Sequence, residues 1–170
     1  CSAPRAPRDG SGLAVGRRLP ARHAVRWLLL LARALTRCGH DARAALRDAQ
    51  ALLPAEGWPE LPLLLRQEVA LTLPGSRAAG ELAALAREAT ASDLPGIALG
   101  AWLQCALLAA VGSRQPDLAR EAAEHALTLL AQGGESTHVD RALRWLAPAR
   151  ALASCGEHTR ARHLLAAGQA

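Results

Sequence analysis

The sequence contains no lysine, phenylalanine, tyrosine, methionine or asparagine, and only one isoleucine and five valines among 170 residues. β-Branched and aromatic side chains favour strands, so their scarcity excludes β-sandwiches and β-barrels and disfavours mixed α/β folds. Alanine (40) and leucine (32) together fill 72 positions. This leucine-rich content with periodically spaced charges also excludes a mostly disordered chain. The composition therefore predicts an all-α protein.

The missing residue types share codons that are rich in A and T. Glycine, alanine, arginine and proline, whose codons are rich in G and C, fill 84 positions. This bias indicates a GC-rich and, we expect, bacterial genome, and it accounts for arginine in place of lysine. Because the chain has no methionine, we expect it to be a piece of a longer protein.

The four cysteines (Cys1, Cys38, Cys105 and Cys155) are widely spaced and form no CxxC motif. Disulfide scaffolds have denser cysteine, so we expect reduced thiols and a cytoplasmic location. An apolar run at 27–32 follows several arginines, as in a signal peptide. Its length falls far short of the roughly 20 residues that cross a bilayer, and we therefore expect no membrane segment.

Residues 1–20 and residues 21–170 differ in pattern. The first segment combines three prolines, three glycines and four arginines with no apolar period, which predicts a disordered linker. The second alternates helical patterns with glycine and proline breaks, which predicts one helical domain. The eight predicted helices are 22–38, 42–54, 61–73, 77–91, 96–111, 117–131, 138–154 and 158–169.

Short turns near Gly39, Gly75, Gly112 and Gly156 are separated by 36, 37 and 44 residues. Each turn joins an apolar first helix to an alanine-rich second helix. A single hairpin of alanine and leucine cannot cover its own apolar face, whereas stacked hairpins share one core. The spacing therefore predicts an α-solenoid, in which the small alanines let the helices approach closely.

The hairpin residues resemble the tetratricopeptide (TPR) repeat. In GHDARAALRDAQAL (39–52), Gly39 is followed by Ala44 five residues later and by Ala51 twelve residues later. In CGEHTRARHLLAAG (155–168), Gly156 is followed by Ala161 at the same spacing of five. The segment 141–170 also resembles the C-terminal helical units of large bacterial transcriptional activators.

This resemblance implies a right-handed superhelix of about four TPR-like hairpins over 21–170. It also implies a function: a protein–protein interaction or regulatory-sensing module of a larger cytoplasmic protein, namely a transcriptional regulator. Other domains of the same chain are then possible partners.

No pattern typical of an enzyme or of a cofactor site is present. Cys155, His158 and His163 have the residue types of a metal site, but Cys38 and His40 recur at the equivalent turn, so repeat geometry explains them better. The sequence has no GxSxG elbow and no glycine-rich phosphate loop. We therefore predict a non-enzymatic chain with no metal and no cofactor.

Arginine is concentrated near the N-terminus. Residues 1–47 carry ten arginines and two aspartates, a net charge of +8, whereas residues 48–170 carry ten arginines and thirteen acids, a net charge of −3. On the first predicted helix, Arg26, Arg33 and Arg37 fall with Arg22 within an arc of about 60°.

First helices of TPR-like stacks line the concave groove. By that resemblance Arg26, Arg33 and Arg37 face the groove, with Arg150 of the last hairpin as a counterpart. Such a groove suits a protein partner or an acidic peptide, bound through charge-assisted hydrogen bonds.

Two other interpretations of the arginines stay open. A basic stripe also binds nucleic acid, but no aromatic residue is interleaved for base stacking except Trp27, so we expect no nucleic acid. A passive structural spacer is the third class, in which the first helix packs on a missing repeat or is simply solvated. All four tryptophans are predicted packing anchors, with Trp58 the most exposed of Trp27, Trp58, Trp102 and Trp145.

Overall fold

The computed structural model describes residues 20–53, 57–113, 115–133 and 141–168, which contain eight α-helices and no strand. The predicted all-α class is confirmed, and the predicted helix bounds that fall on described residues agree to within three residues. Residues 54, 138–140 and 169 of the predicted helices lie outside the described part of the chain. In chain order the helices are α1 (Ala21–Arg37), α2 (Arg43–Ala51), α3 (Glu60–Ala70), α4 (Gly75–Ala91), α5 (Pro95–Leu108), α6 (Pro116–Ala131), α7 (Arg141–Ser154) and α8 (His158–Ala167).

The N-terminal linker and the membrane segment were two further subjects of the sequence predictions. Of the linker predicted over 1–20, residues 1–19 lie outside the described part of the chain. None of the described helices is long and apolar enough to cross a membrane.

Proline and glycine set the helix ends. Pro95 and Pro116 occupy the first positions of α5 and α6, where a missing backbone N–H costs nothing. The turns after α1 and α7 contain Gly39 and Gly156 at φ values of 73° and 86°. This left-handed region strains any residue with a Cβ, so glycine suits both turns. Between α5 and α6 the chain instead forms a π-helical turn, Ala109–Ser113.

The chain consists of two compact units, residues 1–57 and residues 58–170. In the first unit α1 packs on α2. Its buried side chains are small and aliphatic, and they lie on one stripe of each helix. They are Ala24, Val25, Leu29 and Ala32 of α1 and Ala45, Leu46 and Ala49 of α2.

In the second unit the helices pack in sequence. Helix α4 packs on α3 and α5, helix α6 packs on α5 and α7, and α8 packs on α7, while α5 also contacts α3 and α7. Helix α5 is central because nine of its residues are buried, and charged residues are absent from it. Helices that follow one another in the sequence thus pack against each other along the second unit.

Buried alanines let these helices approach closely. Ala119, Ala122, Ala123 and Ala126 of α6 form a stripe in which every residue has no exposed surface. At the far end of the unit, Gly168 has the same role. A Cβ at this position would lie 2.6 Å from Cγ of Trp145, so only glycine allows the end of α8 to rest on α7.

Enlarging the alanine stripe is expected to destabilise the second unit. Ala122→Leu adds three carbon atoms where no surface is exposed, and overpacking of this kind typically costs about 1–3 kcal/mol. The matched control is Ala84→Leu, at an exposed position within α4. Urea unfolding followed by circular dichroism should show a lower midpoint for the first variant only. Equal midpoints for both variants would mean that the α6 interface accommodates large side chains.

Candidate functional site

The predicted arginines of α1 lie at the border between its buried and exposed sides. Arg26 and Arg33 are half-buried, and Arg37 is exposed near the C-terminal end of the helix. The buried stripe occupies one side of this border, and the side beyond it faces solvent. The structure thus keeps the three arginines together on one edge of one helix.

The exposed side of α1 is apolar, which the sequence analysis missed. Trp27 is 64% exposed, and Leu30 and Leu31 are 49% and 50% exposed. With the exposed His23 and Ala34 they recur at helical spacing. We call His23, Trp27, Leu30, Leu31 and Ala34 the α1 outer face.

The prediction that Trp27 is a packing anchor is wrong, because its side chain is exposed. Because leucines occupy four consecutive positions, 28–31, helix α1 is apolar on two sides. Helix α2 covers the side that contains Val25 and Leu29. Trp27 points about 160° away from Val25 around the helix axis. Trp102, in contrast, is 1% exposed and is a packing anchor as predicted, whereas Trp58 and Trp145 are half-buried.

The charge around the α1 outer face is strongly positive. Helix α1 contains four arginines and no acidic residue, and residues 20–53 contain six arginines against Asp41 and Asp48. Asp41 is already engaged, because its Oδ1 accepts a hydrogen bond of 2.9 Å from the backbone N–H of Arg43. The α1 outer face is therefore an apolar surface with a basic border.

Arg150 lies on α7, in the second unit, and it lines a groove between α7 and α8. The groove has a volume of about 410 Å³. Arg162 and His158 of α8 also line it, and neither was predicted from the sequence. The apolar lining residues are Leu146, Ala149, Ala153, Ala161 and Leu165.

The described cysteines and histidines form no cluster with the makeup of a metal site. Cys38, Cys105 and Cys155 are free, and within the described residues no three potential metal ligands come together. The Cys155 thiol instead donates to the carbonyl oxygen of Pro116 at 3.1 Å. His125 stacks on Trp102, with ring centroids 4.6 Å apart and an angle of 16° between the planes.

Three carboxylates of the second unit contact arginines that lie 34 to 37 residues away in the sequence. Arg87 of α4 contacts Glu121 of α6 at 2.5 Å, 34 residues on. Arg120 of α6 contacts Glu157, directly before α8, at 3.0 Å. These pairs link α4 to α6, and α6 to the residue that precedes α8.

Glu124 of α6 is engaged in the same way. Arg160 of α8 donates from Nη2 to Oε2 of Glu124 at 2.8 Å, and this hydrogen bond holds the pKa of the carboxyl below its ordinary value. The ionised form is therefore retained as the pH falls below neutral. The side chains are exposed by nearly half, so the pair contributes little to stability.

Comparisons of the chain with protein-family models, with curated proteins and with solved structures give no match.

Proposed function

We propose that this chain is a protein-interaction module whose α1 outer face binds an acidic amphipathic helix of a partner protein. The observation that carries the proposal is the exposure of Trp27, Leu30 and Leu31 beside a row of arginines. Contiguous exposed apolar side chains with a polar rim are typical of protein-binding surfaces, and tryptophan is the residue most often found at their energetic centre.

Charge favours an acidic partner over two other occupants. The segment 1–19 of the same chain carries four arginines and one aspartate, so its charge repels that of α1. A second copy would bring the same arginines to the interface. A helix with leucines on one side and glutamates on its flanks complements both features, because its carboxylates reach arginines in charge-assisted hydrogen bonds.

The architecture that we propose around this face is a right-handed, TPR-like superhelix. Supporting it are the glycine turns, the contacts of α5 with both α3 and α7, and ion pairs between second helices at separations of 34 to 37 residues. Under this proposal the chain is a regulatory-sensing module of a larger cytoplasmic bacterial protein, a transcriptional regulator. Its mechanism is binding, without catalysis.

The proposal is tested with a designed peptide. The probe is a fluorescein-labelled amphipathic helix with leucines on one face and glutamates on both flanks, and binding is followed by fluorescence anisotropy. Trp27→Ala is expected to weaken binding about 30-fold, as removal of a central aromatic anchor does. Arg37→Glu is expected to weaken it as well, by reversing a charge on the border of the face.

The controls separate the three possible functions. Arg77→Glu makes the same charge reversal on α4 and should leave the affinity unchanged. A peptide with lysines in place of the glutamates should not bind. Binding to random-sequence DNA with a steep salt dependence, in place of the peptide, would support a nucleic-acid-binding repeat and overturn the proposal. A chain that binds neither probe would contradict the proposal and favour the structural spacer.

A further inference from the structure

The groove between α7 and α8 has an apolar floor made of small residues. Ala149 and Ala161 are 2% and 5% exposed and lie on facing helices. Leu146 and Leu165 stand at the rim and are 44% and 40% exposed. Alanines on the inside and leucines at the edge leave an open channel between two helices that otherwise pack against each other. Large apolar side chains therefore face a space of about 410 Å³ that the described residues leave open.

Every ionisable residue that lines this groove is basic or a histidine. They are Arg150, His158 and Arg162, and no aspartate or glutamate is among the lining residues. The guanidinium Nε of Arg162 donates to the carbonyl oxygen of His158 at 3.4 Å, which aligns the side chain along α8. Its two terminal amino groups are left for another acceptor, since guanidinium has five donors.

The two groove arginines differ from most other described arginines of the second unit. Arg66, Arg87, Arg120 and Arg160 each contact a glutamate at hydrogen-bond distance. Within the part of the chain that the structure describes, neither Arg150 nor Arg162 has a carboxylate within ion-pair distance. Both side chains are exposed and are therefore accessible to an acceptor from outside the chain.

We propose that the α7–α8 groove binds a small organic monocarboxylate with an apolar body, such as a medium-chain fatty acid. The carboxylate would bind to Arg150 and Arg162, and the hydrocarbon would lie along Ala149, Ala161 and the rim leucines. The volume falls within the range of about 300–1,000 Å³ that is usual for small-molecule sites, and a mainly apolar lining with few polar groups is typical of them. Two arginines select an anion because the guanidinium matches a carboxylate in shape and charge.

This site is independent of the proposed peptide-binding face, because its residues belong to the other unit. If a variant loses binding of the peptide, its binding of the carboxylate can still be measured, and the reverse also holds. A chain that bound both ligands would carry a sensor for a small carboxylate together with a docking face for a protein.

Titration calorimetry of the full chain with sodium decanoate, below its micelle concentration, tests the inference. One decanoate is expected to bind per chain. Arg150→Gln and Arg162→Gln should each weaken binding about tenfold, since each removes a hydrogen bond to a charged group. Ala153→Leu should weaken it by filling the groove without changing any charge. Arg77→Gln removes an exposed arginine from α4 and should have no effect.

Several results would overturn the site. If 1-decanol binds as tightly as decanoate, the arginines do not recognise the carboxylate. If the Arg150→Gln/Arg162→Gln double variant retains full affinity while circular dichroism shows native helix content, decanoate binds elsewhere. If the groove binds only the acidic peptide, or if sedimentation velocity shows a dimer that Ala153→Leu dissociates and decanoate does not, the occupant is a protein and the proposal is wrong.

Discussion

Trp102→Ala is expected to lower the free energy of unfolding of the second unit by about 3–5 kcal/mol, the usual range for truncation of a large buried aromatic residue. Trp102 lies at the centre of α5 and is 1% exposed. Its ring also stacks on His125, and the guanidinium carbon of Arg87 lies 5.6 Å from the ring centroid. Truncation would therefore remove apolar contacts and a cation–π contact and would leave a cavity among helices that alanines cannot refill.

The matched control is the same truncation at Trp27, which is 64% exposed on α1. Its effect on stability is expected to be below about 1 kcal/mol, because little buried surface is lost. Urea unfolding monitored by circular dichroism measures both variants. A shift of similar size for the two, or a loss of less than about 1 kcal/mol for Trp102→Ala, would contradict the central place given to this side chain.

Cys105 is expected to react with iodoacetamide about a thousandfold more slowly than a thiol of ordinary pKa, as long as the chain stays folded. Burial raises the pKa of this thiol from 9.0 to about 12, with a further rise from Glu121 and an opposing effect of Arg87. Only the thiolate reacts, and three pKa units lower its fraction about a thousandfold. The thiol also donates to the carbonyl oxygen of Ala79 at 3.3 Å, which fixes it inside the interface between α4 and α5.

Mass spectrometry of the alkylated peptides at about pH 8 measures this difference. Cys38, exposed in the turn after α1, is the internal reference. Cys105 should be modified only after addition of urea, and a Cys105 adduct that forms at the rate of Cys38 in native buffer would refute the expectation. The raised pKa also means that the folded state holds the proton more tightly than the unfolded chain. The contribution of Cys105 to stability is therefore lost as the pH rises from about 9 towards 12.

Helices were predictable from this sequence because their ends carry local signals. Pro95 and Pro116 mark helix starts, and Gly39 and Gly156 mark turns, so the predicted bounds that fall on described residues lie within three residues of those observed. The π-helical turn at 109–113 has no such signal, because Ala109, Ala110 and Val111 continue the apolar pattern of α5. That is why the helix was predicted to run on to residue 111.

The sequence predicted the arginines of α1 and Arg150, but not the apolar surfaces beside them. Periodicity shows that Arg26, Arg33 and Arg37 share one side of α1, but the leucines at 28–31 leave two apolar sides and do not say which one is buried. Contact with α2 decides this, and it leaves Trp27 in solvent. Arg162 was missed because the sequence predicts that α7 and α8 pair, but not the groove that their small side chains leave between them.

The arginine–glutamate pairs of the second helices have a consequence for how such a chain could change in length. Arg87 and Arg120 each contact a glutamate one hairpin later, Glu121 and Glu157. Helix α6 therefore contains one residue of each pair: Glu121 accepts from the preceding arginine, and Arg120 donates to the following glutamate. Duplication of the hairpin α5–α6 would place Arg120 of one copy opposite Glu121 of the next, so that the pairing survives. This one arginine–glutamate contact would therefore be kept when α5–α6 is duplicated, whereas Glu124 would contact Arg160 only in the copy that precedes α8.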